Sequence, residues 1–225
     1  MVRFLFEGLA AMLVTGIVSA ESLETVLTRM DVASKGVQSF SADVKRTEFT
    51  AVLNEKLEST GNMRLRRGKI GVTGVVEFQK PDPLVFHFLG GKVEKFMPKA
   101  MILETYEFGK NSKFVDQYLA LVFGVSGAEL RKSYDVTSGG DESLGTVKTT
   151  RLVLVPRDEQ GRKYIAKLEL WIPEGQTYAI QEKVTEPSKD YKLFVYSNQK
   201  MNPPLADKDF VFVAPRGVTR KVFKN

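Results

Sequence analysis

His87 is the one histidine in the chain, and there is no cysteine. A two-histidine metal site, a Ser-His-Asp triad and thiol chemistry therefore lack their components. His87 alternates with Phe86 and Phe88, so on a strand it faces away from them, and we read it as a surface or edge side chain without a task. The acidic pairs Asp141-Glu142 and Asp158-Glu159 fall in turn-like stretches, where solvation accounts for them. Opposed carboxylates for glycoside chemistry would need a proximity that spacing alone does not give. No G-x-S-x-G, Walker or G-x-G-x-x-G pattern occurs, and the glycines from Gly68 to Gly74 have the wrong spacing. The expectation is a protein with no catalytic residues, no metal and no cofactor.

The N-terminus reads as a signal peptide: Arg3, an apolar stretch from Leu9 to Val18, then Ser19 and Ala20. Glu7 weakens that pattern, and an uncleaved anchor is the alternative. Cleavage near Ala20 would place residues 21–225 in the periplasm as a single domain. The absence of cysteine excludes disulfides there, and with them a lipid-modified N-terminal Cys, so we expect a soluble monomer. A net charge of +6 is spread along the chain and not gathered into a stripe, which argues against nucleic acid and leaves weak attraction to anionic surfaces open.

The elements that would position a binding surface are mostly strands. Ser22 can cap a helix over 22–34, with Leu23, Val26, Leu27 and Met30 on one face. From Val37 the period becomes two: Phe40, Ala42 and Val44 alternate with Ser39, Ser41, Asp43 and Lys45. Further strand-like segments follow near 57–65, 70–79, 83–89, 92–97 and 101–108. A second series covers about 133–137, 144–155, 162–172, 177–185, 190–198 and 210–213. Hairpin signals stand at Gly139-Gly140-Asp141 and at 158–161. Between the series lies an apolar helical stretch, FVDQYLALVFG, with a short piece after Ser126. About eleven strands in meander order with helices describe an α+β fold: a strongly curved antiparallel sheet, or incomplete β-barrel, whose concave side the helices cover. The helices either fill that side or close it as a lid, and the pattern does not choose.

The run NPPLADKDFVFVAPRGV, Asn202 to Val218, resembles the closing segment of the LolA-type lipoprotein carriers: F-x-F at Phe210 and Phe212, then P-x-G-V at Pro215, Gly217 and Val218. The stretches VQSFSADV (37–44), GNMRLRRG (61–68) and GGKVEKFMP (90–98) resemble that family's first strand, its K-R-P stretch and its D-G-K turn, in the same order. The resemblance implies an unclosed barrel that carries acylated lipoproteins from an inner-membrane lipoprotein-releasing transporter to an outer-membrane receptor. The lipid-binding cavity is then expected among Phe40, Val44, Leu65, Leu84, Phe86, Phe88, Phe96, Leu152, Leu154, Leu168, Leu170, Ile180, Leu193 and Val195. The lid would be Phe114, Tyr118, Leu119, Leu121, Val122 and Phe123. The latch would be Arg67, with Arg66 beside it and Gly68 where the family has proline; one residue of slip would turn the side chain to the other face. The aromatic after D-G-K is also displaced, to Phe96. Two other readings share the fold: a carrier of free lipids or glycolipids, and a lipid-sensing module resembling RseB-type regulators. Those regulators carry a second domain, for which the resemblance leaves no room before Asn225.

Overall fold

The computed structural model describes residues 21–69, 71–109, 119, 121 and 124–224. The signal segment 1–20 and the lid candidates Phe114, Tyr118, Val122 and Phe123 lie outside the described residues.

Helix α1 (Leu23–Ser34) starts where the Ser22 hydroxyl accepts the Thr25 N–H, and its buried stripe is Val26, Leu27 and Met30. The chain then alternates in period two through β1 (Ser39–Thr50), β2 (Glu55–Gly68), β3 (Gly71–Lys80), β4 (Leu84–Leu89), β5 (Lys92–Met97) and β6 (Ile102–Glu107). Helix α2 (Gly127–Ser133) opens with a capping box between Ser126 and Glu129. It leads into β7 (Tyr134–Leu144) and β8 (Val147–Pro156). The one-turn helix α3 (Glu159–Arg162) precedes β9 (Lys167–Pro173), β10 (Gln181–Thr185), β11 (Tyr191–Met201) and β12 (Thr219–Lys224). Among the described residues the strands form one twelve-stranded sheet in the order β12-β6-β5-β4-β3-β2-β1-β11-β10-β9-β8-β7. Only β12, on β6, pairs in parallel, and β12 and β7 are edges, so the sheet curls without closing.

The concave side is divided in two. Over β7–β10 it is filled: Val26, Leu27 and Met30 of α1 pack with Leu121, Val125, Leu130, Leu152, Leu154, Leu168, Leu170 and Ile172. Each such side chain contributes about 1.5–3 kcal/mol by leaving water. Over β1–β4 and β11 a second cluster forms around Phe40, Val44, Met63, Leu65, Val76, Phe78 and Tyr196, with Leu84, Phe86, Phe88 and Phe194 only partly buried against it. Of the two outcomes that alternation left open, filling is the one that α1 shows over β7–β10.

Several boundaries differ from the sequence reading. Gly139-Gly140 is not a hairpin. β7 runs through it with a register shift between Ser138 and Asp141, and the turn falls at Gly145, where φ is +62°. A side chain at Gly139 would meet Arg151 Nε at 2.7 Å, and Arg151 donates to the Gly139 carbonyl, so the glycine makes room for a guanidinium. Residues 158–161 are not a turn between strands: Asp158 caps α3 by accepting the Gly161 N–H, and β9 begins only at Lys167. Tyr164 is consequently exposed and Ile165 buried, the reverse of a strand face that includes Tyr164. Only Gln181–Thr185 of the stretch 177–185 pairs as a strand.

The closing segment differs most. Residues 210–213 are not a strand, and the chain from Asn202 forms a strap across the convex face. The Asn202 side chain accepts the Gln38 N–H at 2.7 Å, and Asp207 pairs with Arg66 at 2.8 Å. The Arg66 guanidinium lies 4.4 Å from the Phe210 ring centre, and Phe212 packs on His87 and Phe96. The strap ends in β12, which explains the parallel pairing: a crossover on one face brings the chain back in the direction of β6. His87 is correspondingly not a surface residue. It is 7% exposed, with Nδ1 at 3.1 Å from Glu94 Oε2 and Nε2 at 3.0 Å from the Phe210 carbonyl.

Candidate functional site

The half of the concave side that α1 does not fill holds a cavity of about 570 Å³. Its walls are Val44, Met63, Val76, Phe78, Leu84, Phe86, Phe88, Val93, Tyr106, Phe108, Phe194 and Tyr196, with Leu119 over them and Arg46, Glu48, Lys95 and Lys192 among them. The size and apolar lining suit a ligand site. Strand alternation builds it: Val44, Arg46 and Glu48 of β1 share one face and stand opposite Tyr196, Phe194 and Lys192 of β11. Exposure grows along that ladder, from 3% at Val44 to 9% for the Arg46 side chain and 32% for that of Glu48. The cavity therefore has a dry end at Val44 and Tyr196 and a wet end at Glu48 and Lys192.

Glycines let the wall curve. Gly61 lies where β2 presses on β3, and a Cβ there would stand 1.9 Å from the Glu77 carbonyl oxygen. Aromatic rings then pave the far wall: Phe86 meets Phe78 edge-on at 6.4 Å and stacks with Phe88 at 6.5 Å.

Glu182 separates the cavity from the filled half. It stands between Leu170 and Phe194 in the ladder, is 1% exposed, and accepts a 3.1 Å hydrogen bond from the Tyr196 hydroxyl through Oε2. Its Oε1 has no hydrogen-bond partner among the described residues. Burial pushes its carboxyl up to about 7, against a smaller lowering from the Tyr196 hydrogen bond. The Tyr134 hydroxyl is pushed up to about 12, by burial first and by Glu182 second. At the cavity wall, burial and a hydrogen bond to Glu104 raise Tyr106 to about 12, while that same hydrogen bond leads in holding Glu104 below its ordinary value.

Of the candidate cavity residues, the structure brings Val44, Leu84, Phe86 and Phe88 together in the lining. Phe40 and Leu65 are fully buried in the adjoining cluster, and Leu152, Leu154, Leu168 and Leu170 lie beneath α1. Phe96 packs on Phe212 of the convex strap. Ile180 precedes β10, and Leu193 and Val195 alternate with the lining residues Phe194 and Tyr196. Leu119 of the lid candidates reaches the cavity, and Leu121 packs with Val125 and Leu130 in the filled half. Arg67 shares its strand face with Met63 and Leu65, donates from Nε to the Val37 carbonyl at 3.0 Å, and borders a second cavity of about 350 Å³ beside Leu121 and α2. Arg66 points to the convex side, against Phe210. The sequence reading did not include Arg46, Met63, Val76, Phe78, Phe194 or Tyr196. Extending the alternation of Phe40, Ala42 and Val44 by one step would have reached Arg46.

Fold and site together are an open, curled antiparallel sheet that keeps an apolar cavity on its unfilled half. No family model and no curated protein sequence matches the chain. Solved structures share its fold. An uncharacterized conserved protein from Thermus thermophilus matches with TM-score 0.53 at 12% identity, over 91% of this chain and 100% of that one. MucB matches with TM-score 0.50 at 14% identity, over 85% of this chain and 62% of its own. A LolA superfamily protein from Nitrosomonas europaea matches with TM-score 0.38 at 13% identity, over 86% and 99%.

Proposed function

We propose that this chain is an exported, non-enzymatic carrier that holds acyl chains of lipoproteins in its cavity and shuttles them through the periplasm from the inner to the outer membrane. The observation that carries the proposal is the apolar cavity of about 570 Å³, paved by Phe78, Phe86, Phe88 and Phe194 beside a half-sheet that α1 fills. Each methylene moved into such a space contributes about 0.8 kcal/mol, so binding is easy and release needs an opposing contribution. A lid over the concave side, in the segment that carries Leu119 and Leu121, would supply it by exposing apolar surface when the carrier is loaded. Arg67 is the proposed latch, because it borders the second cavity, of about 350 Å³, beside Leu121 of the proposed lid. Arg67→Leu is expected to fold normally and to impair hand-over from an inner-membrane transporter to an outer-membrane receptor; unchanged transfer would remove the latch role.

Native mass spectrometry of the protein purified gently from the periplasm tests the whole reading. Acylated lipoprotein at near one-to-one supports a lipoprotein carrier, free lipid alone supports a lipid carrier, and a persistently empty chain defeats both. A second reading, a lipid-sensing regulatory module of the same fold, would be marked by co-purification of a partner protein in place of acylated cargo.

A further inference from the structure

A pocket that only had to shelter hydrocarbon would gain nothing from charge, yet among the described residues four charged side chains, Arg46, Glu48, Lys95 and Lys192, stand in the lining of this one. Arg46 is the most telling. Its side chain is 9% exposed, its guanidinium lies 4.2 Å from the Phe78 ring centre, and it donates to the buried Ser59 hydroxyl at 3.3 Å. Burying a guanidinium beside apolar walls is costly unless anions meet it. Among the described residues it meets Glu48, at 3.2 Å, on the wet side of it. Lys192 stands directly across the ladder from Glu48, and Lys95 rises from β5 on the far wall. Both lysines are steadied by acids that do not line the cavity, Lys192 by Glu186 at 2.5 Å and Lys95 by Glu104 at 3.4 Å. Among the described residues the lining thus carries three bases and one acid, placed where the walls give way to water, and a concave low-dielectric wall focuses such a field inward.

We propose that the cavity selects an anionic amphiphile, an acyl chain lying toward Val44 and Tyr196 with a carboxylate or phosphate head among Arg46, Lys192 and Lys95. This rests on the reading of the cavity as an acyl-chain site and adds its head-group chemistry. The head would take a place beside Arg46, where Glu48 now stands, within reach of Lys192 across the ladder, which gives the ligand a fixed direction: chain in, charge out.

The test is displacement of an uncharged fluorescent probe, N-phenyl-1-naphthylamine, from the delipidated mature protein by four ligands of one chain length below their micellar concentrations. These are dodecanoate, dodecyl phosphate, dodecanol and dodecyltrimethylammonium. The anions are expected to displace the probe at concentrations on the order of tenfold lower than dodecanol, with the cation weakest, and to lose that advantage in high salt. The more effective of the two anions identifies carboxylate or phosphate as the natural head. Lys95→Gln with Lys192→Gln, at partly exposed positions that leave the core untouched, should shrink the preference while dodecanol binds as before, and Arg46→Gln should abolish it. Equal displacement by dodecanol and the anions overturns the head-group proposal and leaves the acyl-chain reading standing. A preference that survives all three substitutions places the anion elsewhere and also overturns it. If neither the probe nor any chain binds, the cavity reading itself fails and this inference with it.

Discussion

Glu182 is a buried acid in the middle of an apolar ladder, held by one tyrosine hydroxyl. Its carboxyl, pushed from 4.5 to about 7 by burial, binds a proton in the folded protein that the unfolded chain has already released over that interval. The folded state thus holds more protons there, and stability falls as pH rises from about 4.5 through 7, then levels off. Glu182→Gln keeps the shape and an acceptor for Tyr196 while removing the charge. Its thermal midpoint should equal or trail the parent's near pH 5 and exceed it above about pH 7; parallel curves across that range would sink the account. Single residues were also where the sequence was hardest to read. His87 and Arg46 are both polar side chains in strands, and a polar residue on a strand is by default assigned to water. His87 is buried because the strap carrying Phe210 and Phe212 covers it, and nothing local to His87 announces a segment so far along the chain. Arg46 was within reach, since it continues the face of Phe40 and Val44.

Between the helices, the approach of α2 to α1 is close. A Cβ built on Gly127 would stand 2.6 Å from the Leu27 carbonyl oxygen and 2.7 Å from the Leu27 Cβ, so neither helix can yield without moving backbone. Asp31 accepts the Ala128 N–H at 2.9 Å, and Arg131 pairs with Glu24, which pins the two helices on either side of the glycine. Gly127→Val should therefore lift α1 off β8 and β9 and cost about 1–3 kcal/mol, a drop of several degrees in thermal midpoint. An unchanged midpoint would mean that α1 is not held at that contact. Strands and helices were legible because their periods are local: α1, β1–β6 and a short piece starting after Ser126 follow from spacing alone. β12 and the strap were not, because Phe210-Val211-Phe212 alternates like a strand while its partners are ring faces and a guanidinium instead of a ladder.

At the level of the whole molecule, the same curled sheet serves two purposes, and which half does which is set by where a helix lands. Alternation marked one apolar face on every strand, including Leu168 and Leu170 as readily as Phe86 and Phe88, and could not say which of these faces α1 would cover. The division predicts opposite responses to added volume. Beneath α1 the packing is closed, so a larger side chain at Leu152 or Leu168 forces strain and lowers stability. In the other half the space exists already. Val76→Phe, on the β3 wall of the cavity, should leave the thermal midpoint unchanged or raise it slightly while weakening dodecanoate and dodecanol binding together by on the order of tenfold. A parallel loss of both chains, with the anionic preference intact, would tie the cavity volume to the hydrocarbon and leave the head-group selection to the wet end. A marked loss of stability instead would mean that the β1–β4 half is as tightly packed as the half under α1, and that the sheet has only one core.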